Sequence, residues 1–353
     1  MAHDGWRNKR RSLGRKLVRV LAGLGILALG AGIVGAGWET LEQRAFERAG
    51  HDPPGELVDI GNRRLHLVCT GTGEPGVMLI SGMGGTFAAW GASFREQVAR
   101  FARVCAYDRA GVGWSDPADT PRTADAAARD LAALLAAATP FDGPPVLVGH
   151  SIGGLYGQRY ARMYPEGVSG LLLIDPTTEE LYDAAADWRS DAVYRFVWPA
   201  LGRLGILRLS FRRDHHGLAG DSLDRLAGVA SGYPAARAMA REYAGLHDSF
   251  ARPTPHLDGP PDEVATTVDG PVVVLSARRS TDFPALEGQE GQQSVRRSSH
   301  ARLARESIDG RMIEIDSGHY IFRESPDTVV ALIRSLVEQP RTGATGRAGQ
   351  GGE

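Results

Sequence analysis

Residues 20–38 run nineteen positions, VLAGLGILALGAGIVGAGW, without a charge. As a helix the stretch spans roughly 28 Å, close to the hydrocarbon thickness of a bilayer. Residues 40–50 continue with helical spacing and read as a stalk. Beyond them the period shortens. Residues 55–60 and 63–69 flank a Gly61-Asn62 turn and predict a β-hairpin. Short apolar runs follow at 77–80, 103–107, 145–148, 170–174, 271–275 and 311–315. Helical patterns separate them, the most regular being the alanine-rich stretch 124–138. Strands alternating with helices predict a mostly parallel sheet covered on both faces. After the last strand, Ser325, Pro326 and Asp327 are placed as cap, first turn and dipole complement of a closing helix.

Residues 177–265 break the alternation, with no strand pattern and with Tyr182, Trp188, Tyr194, Phe196, Trp198, Tyr233, Tyr243 and Phe250 scattered through helical pieces. This stretch is expected to form a helical cap over the strand ends. Most of its aromatics are expected to pack the cap itself and a few to line a pocket. Residues 340–353 are too polar and glycine-rich to fold. The chain thus divides into a basic segment (1–19), a transmembrane anchor (20–38), a stalk (39–54), a first core segment (55–176), the cap (177–265), a second core segment (266–339) and a disordered tail (340–353). No internal repeat is visible.

Charge changes the picture at the N-terminus. The net charge of −2 over 353 residues divides into +6 for residues 1–19 and −8 for the rest. A basic cluster before an uncharged span stays in the cytoplasm, so the bulk of the chain is expected outside it, with Trp38 at the far interface. A cleaved signal peptide competes with this reading, because small residues crowd positions 35–37. The length of the apolar run favours an uncleaved anchor. Ala28, Gly32 and Ala36 form a small-residue stripe, weak support for a dimer, and the oligomeric state stays open. A mildly acidic folded part argues against nucleic-acid binding. Lysine occurs only at Lys9 and Lys16, which reads as the composition of a GC-rich bacterium.

Chemistry enters at residues 145–161, PVLVGHSIGGLYGQRYA, where Ser151 stands between an apolar strand and a helix. The pattern G-x-S-x-G in that context is a nucleophile elbow. Gly149 and Gly153 remove side chains that would collide in the tight turn, and the helix start offers N–H groups to developing negative charge.

The elbow does not stand alone. With LISGMGG (79–85), VCAYDRAGVGWSD (104–116), LLLID (171–175) and DSGHYIFRESP (316–326), in this order, residues 55–339 resemble the α/β-hydrolase superfamily, in its serine-nucleophile branch of esterases, lipases and perhydrolases with a helical cap. The resemblance implies an eight-stranded, mostly parallel sheet whose second strand is antiparallel, with the cap inserted before the last two strands. It implies Ser151 as nucleophile and, of ten histidines, His319 as base. His150 is given a packing role. The adjacent His215 and His216 diverge on a helix and make a poor metal site. His3, His51, His66, His247, His256 and His300 are expected to be structural or on the surface.

The oxyanion hole is expected from the N–H groups of Ile152 and Met83. Ser81-Gly82 stands where the family usually has His-Gly, so the loop's anchoring hydrogen bonds must differ. Asp108, Arg109 and Ser115 resemble a stretch that is mainly structural. The triad acid is open between Asp175, favoured at the end of its strand, and Asp282, which arrives late after the next one. Cys69 and Cys105 fall on strands that neighbour each other in this fold, and a bridge or two buried thiols both remain possible. These readings combine into a membrane-anchored serine hydrolase of carboxylic, apolar esters, a small-molecule substrate, with no cofactor and no metal. The alternatives are a cofactor-free perhydrolase or haloperoxidase and a non-catalytic anchored binding protein.

Overall fold

In the computed structural model, residues 2–118, 121–185, 191–214, 221–251, 270–279, 290–305, 307 and 309–339 are described. Each apolar run forms a strand: β1 (Glu56–Asp59), β2 (Arg64–Thr70), β3 (Val77–Ile80), β4 (Val104–Tyr107), β5 (Val146–His150), β6 (Gly170–Ile174), β7 (Val272–Ala277) and β8 (Arg311–Ile315). They make one sheet in the order β1-β2-β4-β3-β5-β6-β7-β8. β2 runs antiparallel to both neighbours, and every pairing from β4 to β8 is parallel. This is the sheet that the resemblance implies.

Burial explains why the parallel strands lack alternation. Every residue of β3 to β7 is buried, since helices cover both faces. Leu147 packs with Leu131 and Leu134 of α3 (Ala124–Ala138) and with Leu155 and Tyr156 of α4 (Ile152–Met163). Its neighbours Val146 and Val148 point the other way, toward Phe94 and Val98 of α2 (Ala92–Ala99) and a C-terminal helix, Pro326–Glu338. Ser325 occupies the cap position of that helix, but its hydroxyl makes no capping bond. Its N–H closes the preceding short helix on Ile321 O, so the backbone direction at Ser325 is already set. Cys69 and Cys105 stand directly opposite in the β2–β4 ladder and are joined by a disulfide.

The chain packs as two compact units, residues 1–51 with 199–233 and residues 52–198 with 234–353. The first is helical. α1 (Ala2–Ala49) runs unbroken through the apolar stretch and the residues expected as a stalk. Those residues are packed: Glu39 pairs with Arg208, each side chain 1% exposed, and Arg212 pairs with Glu42. The partners belong to α7 (Ile206–Asp214), which follows α6 (Trp198–Arg203) and precedes α8 (Asp221–Ala230). Among the described residues, one helix, α1, is long and apolar enough to cross a membrane.

The second unit holds the sheet together with α5 (Glu179–Ala185) and most of α9 (Tyr233–Ala251). Among the described residues of 177–265 there is no strand. Tyr194 stacks on Tyr243 with ring centroids 4.3 Å apart, and Tyr182 meets Phe250 at 5.5 Å. These four rings pack against the sheet-side core. Trp188 lies outside the described residues.

Candidate active site

At the end of β5 the chain turns into α4 through one residue. Ser151 has φ 55° and ψ −125°, a conformation few side-chain-bearing residues adopt. The turn closes because its neighbours are small. A Cβ on Gly149 would run into Gly153 O, and one on Gly153 into Ile80 O. The Ser151 N–H donates to Ile174 O at 3.0 Å, and its own oxygen accepts from Thr177 at 3.1 Å. The elbow is therefore pinned to the ends of β3 and β6.

Asp175 follows β6 at φ 43°. Its backbone N–H donates to Leu275 O at 2.8 Å, and its Oδ1 accepts from the Ala277 N–H at 3.1 Å. Oδ2 takes a hydrogen bond from His319 Nδ1 at 2.7 Å and a second from the Arg296 guanidinium. Burial alone would raise the Asp175 carboxyl. The His319 hydrogen bond, with the charges of His319, Arg296 and His300, outweighs it and holds the group well below the usual carboxylate range. Asp282, the other expected candidate for the acid, lies outside the described residues, as do His215 and His216.

Arg296 and His300 were not marked as site residues in the sequence. Both lie on α10 (Glu290–Ala304), one turn apart, so one helix face meets Asp175. His300 is fully buried, contacting Ser276 Oγ at 2.9 Å and Pro176 O at 3.0 Å. Its pKa is lowered, first by burial. His150 is lowered well below the ordinary histidine value, by burial and then by the His319 charge. A neutral His150 ring must donate through Nε2 to His319 O, 3.1 Å away, which leaves Nδ1 unprotonated beside Gly82. The residue beside Ser151 thus supports the loop that carries His319.

The loop after β3 reaches the same place. A Cβ built on Gly82 would lie 3.3 Å from Ser151 Cβ. The Ser81 hydroxyl donates to Thr86 O at 2.9 Å, and the Gly85 N–H to Gly82 O at 2.9 Å. The rest of the anchoring comes from a residue expected to be merely structural. Buried Arg109 donates to Ser81 O at 2.6 Å and Gly82 O at 2.7 Å, and its other edge pairs with Glu242 of α9. Glu242 in turn accepts from the Gly84 N–H at 2.8 Å. Arg109 and Glu242 thus hold the backbone on both sides of Met83. Asp108 and Ser115 keep their structural roles. Asp108 accepts from His66 Nδ1 at 2.8 Å, Phe87 N at 2.6 Å and Trp114 N at 3.0 Å, and Ser115 donates to Asp108 O.

The geometry gathers Ser151, the Gly82–Met83 backbone and the Asp175–His319 pair at the ends of the parallel strands. Among the described residues, neither the Met83 nor the Ile152 N–H is engaged in a turn or loop hydrogen bond. Among the described residues, no group of His, Cys, Asp and Glu could hold a metal ion.

Parts of the chain are similar to known proteins. The Azorhizobium caulinodans protein named Putative carbamate hydrolase RutD is 36% identical over 115 residues, 33% of this chain and 42% of that protein. Lipase LipV of Mycobacterium tuberculosis is 44% identical over 73 residues, 21% of this chain and 27% of that one. The chain thus matches less than half the length of either. The solved enol-lactonase of Burkholderia xenovorans superposes with a TM-score of 0.55 at 18% identity, covering 80% of this chain and all of that one, a likeness of fold. The family described as the alpha/beta hydrolase family matches residues 77–332, which include β3 to β8, the elbow and the Asp175–His319 pair. The chain belongs to the alpha/beta hydrolase family.

Proposed function

We propose that this protein is a serine hydrolase of carboxylic esters, anchored by α1 in a membrane with its catalytic domain outside the cytoplasm. The observation that carries the reading is the buried Asp175–His319 hydrogen bond beside the strained elbow at Ser151. His319 Nδ1 donates to Asp175, which leaves Nε2 as the acceptor for the Ser151 hydroxyl proton. Ser151 Oγ then attacks the acyl carbonyl. The N–H groups of Met83 and Ile152 stabilise the oxyanion, and the imidazolium, stabilised by Asp175, returns the proton to the leaving alcohol. Water, activated by the same ring, releases the acid and frees the serine.

Lipase, lactonase and carbamate hydrolase all appear among the names of similar proteins, and each name denotes acyl transfer to water. The ester reading takes the member of that set that needs the least activation of its leaving group. A fluorophosphonate probe and a panel of p-nitrophenyl esters test it. The wild-type chain should be labelled and should turn over the esters, and Ser151→Ala should do neither. Folded wild-type protein left unlabelled would refute the enzyme reading; labelling without ester turnover would redirect the search to amides and carbamates.

A further inference from the structure

The turn between α6 and α7 lies against the apolar part of α1. A Cβ built on Gly35 would stand 2.8 Å from Leu204 O, and one on Gly32 would stand 3.8 Å from Leu204 Cδ2. At the next residue the Trp38 ring covers Gly205, a position at φ 73° with no room for a side chain. The helices then advance together, Arg208 to Glu39 at 2.9 Å and Arg212 to Glu42 at 3.0 Å. α7 therefore starts beside the last turns of the uncharged stretch and leads away from it in the same direction as α1.

The outward side of that first turn is apolar. Ile206 is 44% exposed and Leu209 57%, while Arg208 between them is turned inward onto Glu39. The turn of α1 that carries Gly32 and Gly35 is apolar and exposed too, with Ile33 at 65% and Val34 at 71%. At about 1.5 Å per residue, Ile206 is level with the outer end of the stretch and Leu209 is roughly one turn beyond it, within the headgroup layer of a bilayer spanned by residues 20–38.

We propose that the α6–α7 turn and the first turn of α7 form a second membrane contact, with Ile206 and Leu209 entering the lipid where α1 leaves it. The proposal rests on the reading of α1 as a membrane span. A bilayer is the occupant because the exposed face is continuous with the apolar surface of α1 and lies at the depth where that surface meets water. The Glu39–Arg208 pair locks the depth of this element, so part of the cap rests on the membrane surface as a fixed extension of the anchor.

Both native cysteines are bridged, so an introduced cysteine is the sole free thiol. Full-length Ile206→Cys, Leu209→Cys, Ile33→Cys and Ser298→Cys are each labelled with a polarity-sensitive fluorophore and reconstituted in phosphatidylcholine–phosphatidylglycerol vesicles. Cooperative thermal melting confirms the fold, and either α7 position decides if the other variant fails to fold. The labels at positions 206 and 209 should shift to the blue and lose emission to nitroxide-bearing lipids, as at position 33, while position 298 does neither. Quenching at 33 with positions 206 and 209 as unquenched as 298 overturns the second contact and leaves the anchor standing. Absence of quenching at 33 removes the anchor reading and the proposal with it. A blue shift at 206 and 209 that lipid nitroxides do not quench, and that strengthens with protein concentration, assigns the face to a second copy and overturns the proposal.

Discussion

Asp175 carries a full charge in a site without water-like solvation, and three donors to its carboxylate keep it there: His319, Arg296 and the Ala277 N–H, while its own backbone N–H, donating to Leu275 O, fixes the residue. The carboxylate orients the His319 ring and, in the proposed mechanism, compensates the charge that ring acquires. Asp175→Asn should therefore lower kcat by about 10⁴-fold with the fold retained, and Asp282→Asn should leave it near wild type. Circular dichroism and turnover of an activated ester on both variants check this; collapse in folded Asp282→Asn with a healthy Asp175→Asn would move the role. Ser151, His319 and Asp175 could be proposed from the sequence because each sits in a short contiguous motif whose geometry is local. Arg296 could not, because its carboxylate partner is 121 positions away and nothing in a polar helix distinguishes one arginine from the next.

Among the elements, the loop after β3 depends on a helix from a distant part of the chain. Arg109 and Glu242, 133 positions apart, clamp the carbonyls of Ser81 and Gly82 and the N–H of Gly84. Serine in place of the family's usual histidine at position 81 signalled that the anchoring would differ, but no spacing rule could name Glu242 as the partner. Glu242→Gln keeps the shape and one acceptor while removing the charge that holds Arg109. It should loosen the donor at Met83, cutting kcat by about 10²-fold, the scale of one lost oxyanion donor, with a smaller change in KM. Steady-state kinetics on the variant test this. A change in KM alone would make the pair a substrate-binding device. Strand positions, by contrast, followed from apolar runs directly, since full burial on two faces leaves no other pattern available. Helical spacing in residues 40–50 predicts the helix but says nothing of what it packs against, so the pairing of Glu39 and Glu42 with α7 was not legible.

For the molecule as a whole, buried neutral histidines set the response to acid. His150 and His300 both resist protonation in the fold, while in the unfolded chain they take up protons near pH 6.5. Below that value the unfolded state binds more protons, so stability falls as pH falls, by up to about 1.4 kcal/mol per pH unit for each ring. Urea unfolding at pH 7.5 and 5.5 should show this loss, and His300→Gln should show a smaller one; an equal loss in the variant would place the proton uptake elsewhere. Orientation is tested at the same scale. Protease added outside spheroplasts should digest the hydrolase domain, whereas protection until lysis would reverse the proposed topology. The disulfide between Cys69 and Cys105 fits the same side of the membrane, because such bridges persist in oxidising compartments.

The buried Glu39–Arg208 pair decides where this chain can be cut. A truncation begun after residue 50 to obtain a water-soluble enzyme would discard Glu39 together with the helix that covers Arg208, and so strip α7 of the surface it packs on. A truncation or a natural cleavage before Trp38 keeps the pair intact. On the proposed reading, the boundary between the anchor and the helices it packs with therefore falls at the start of the last three turns of α1.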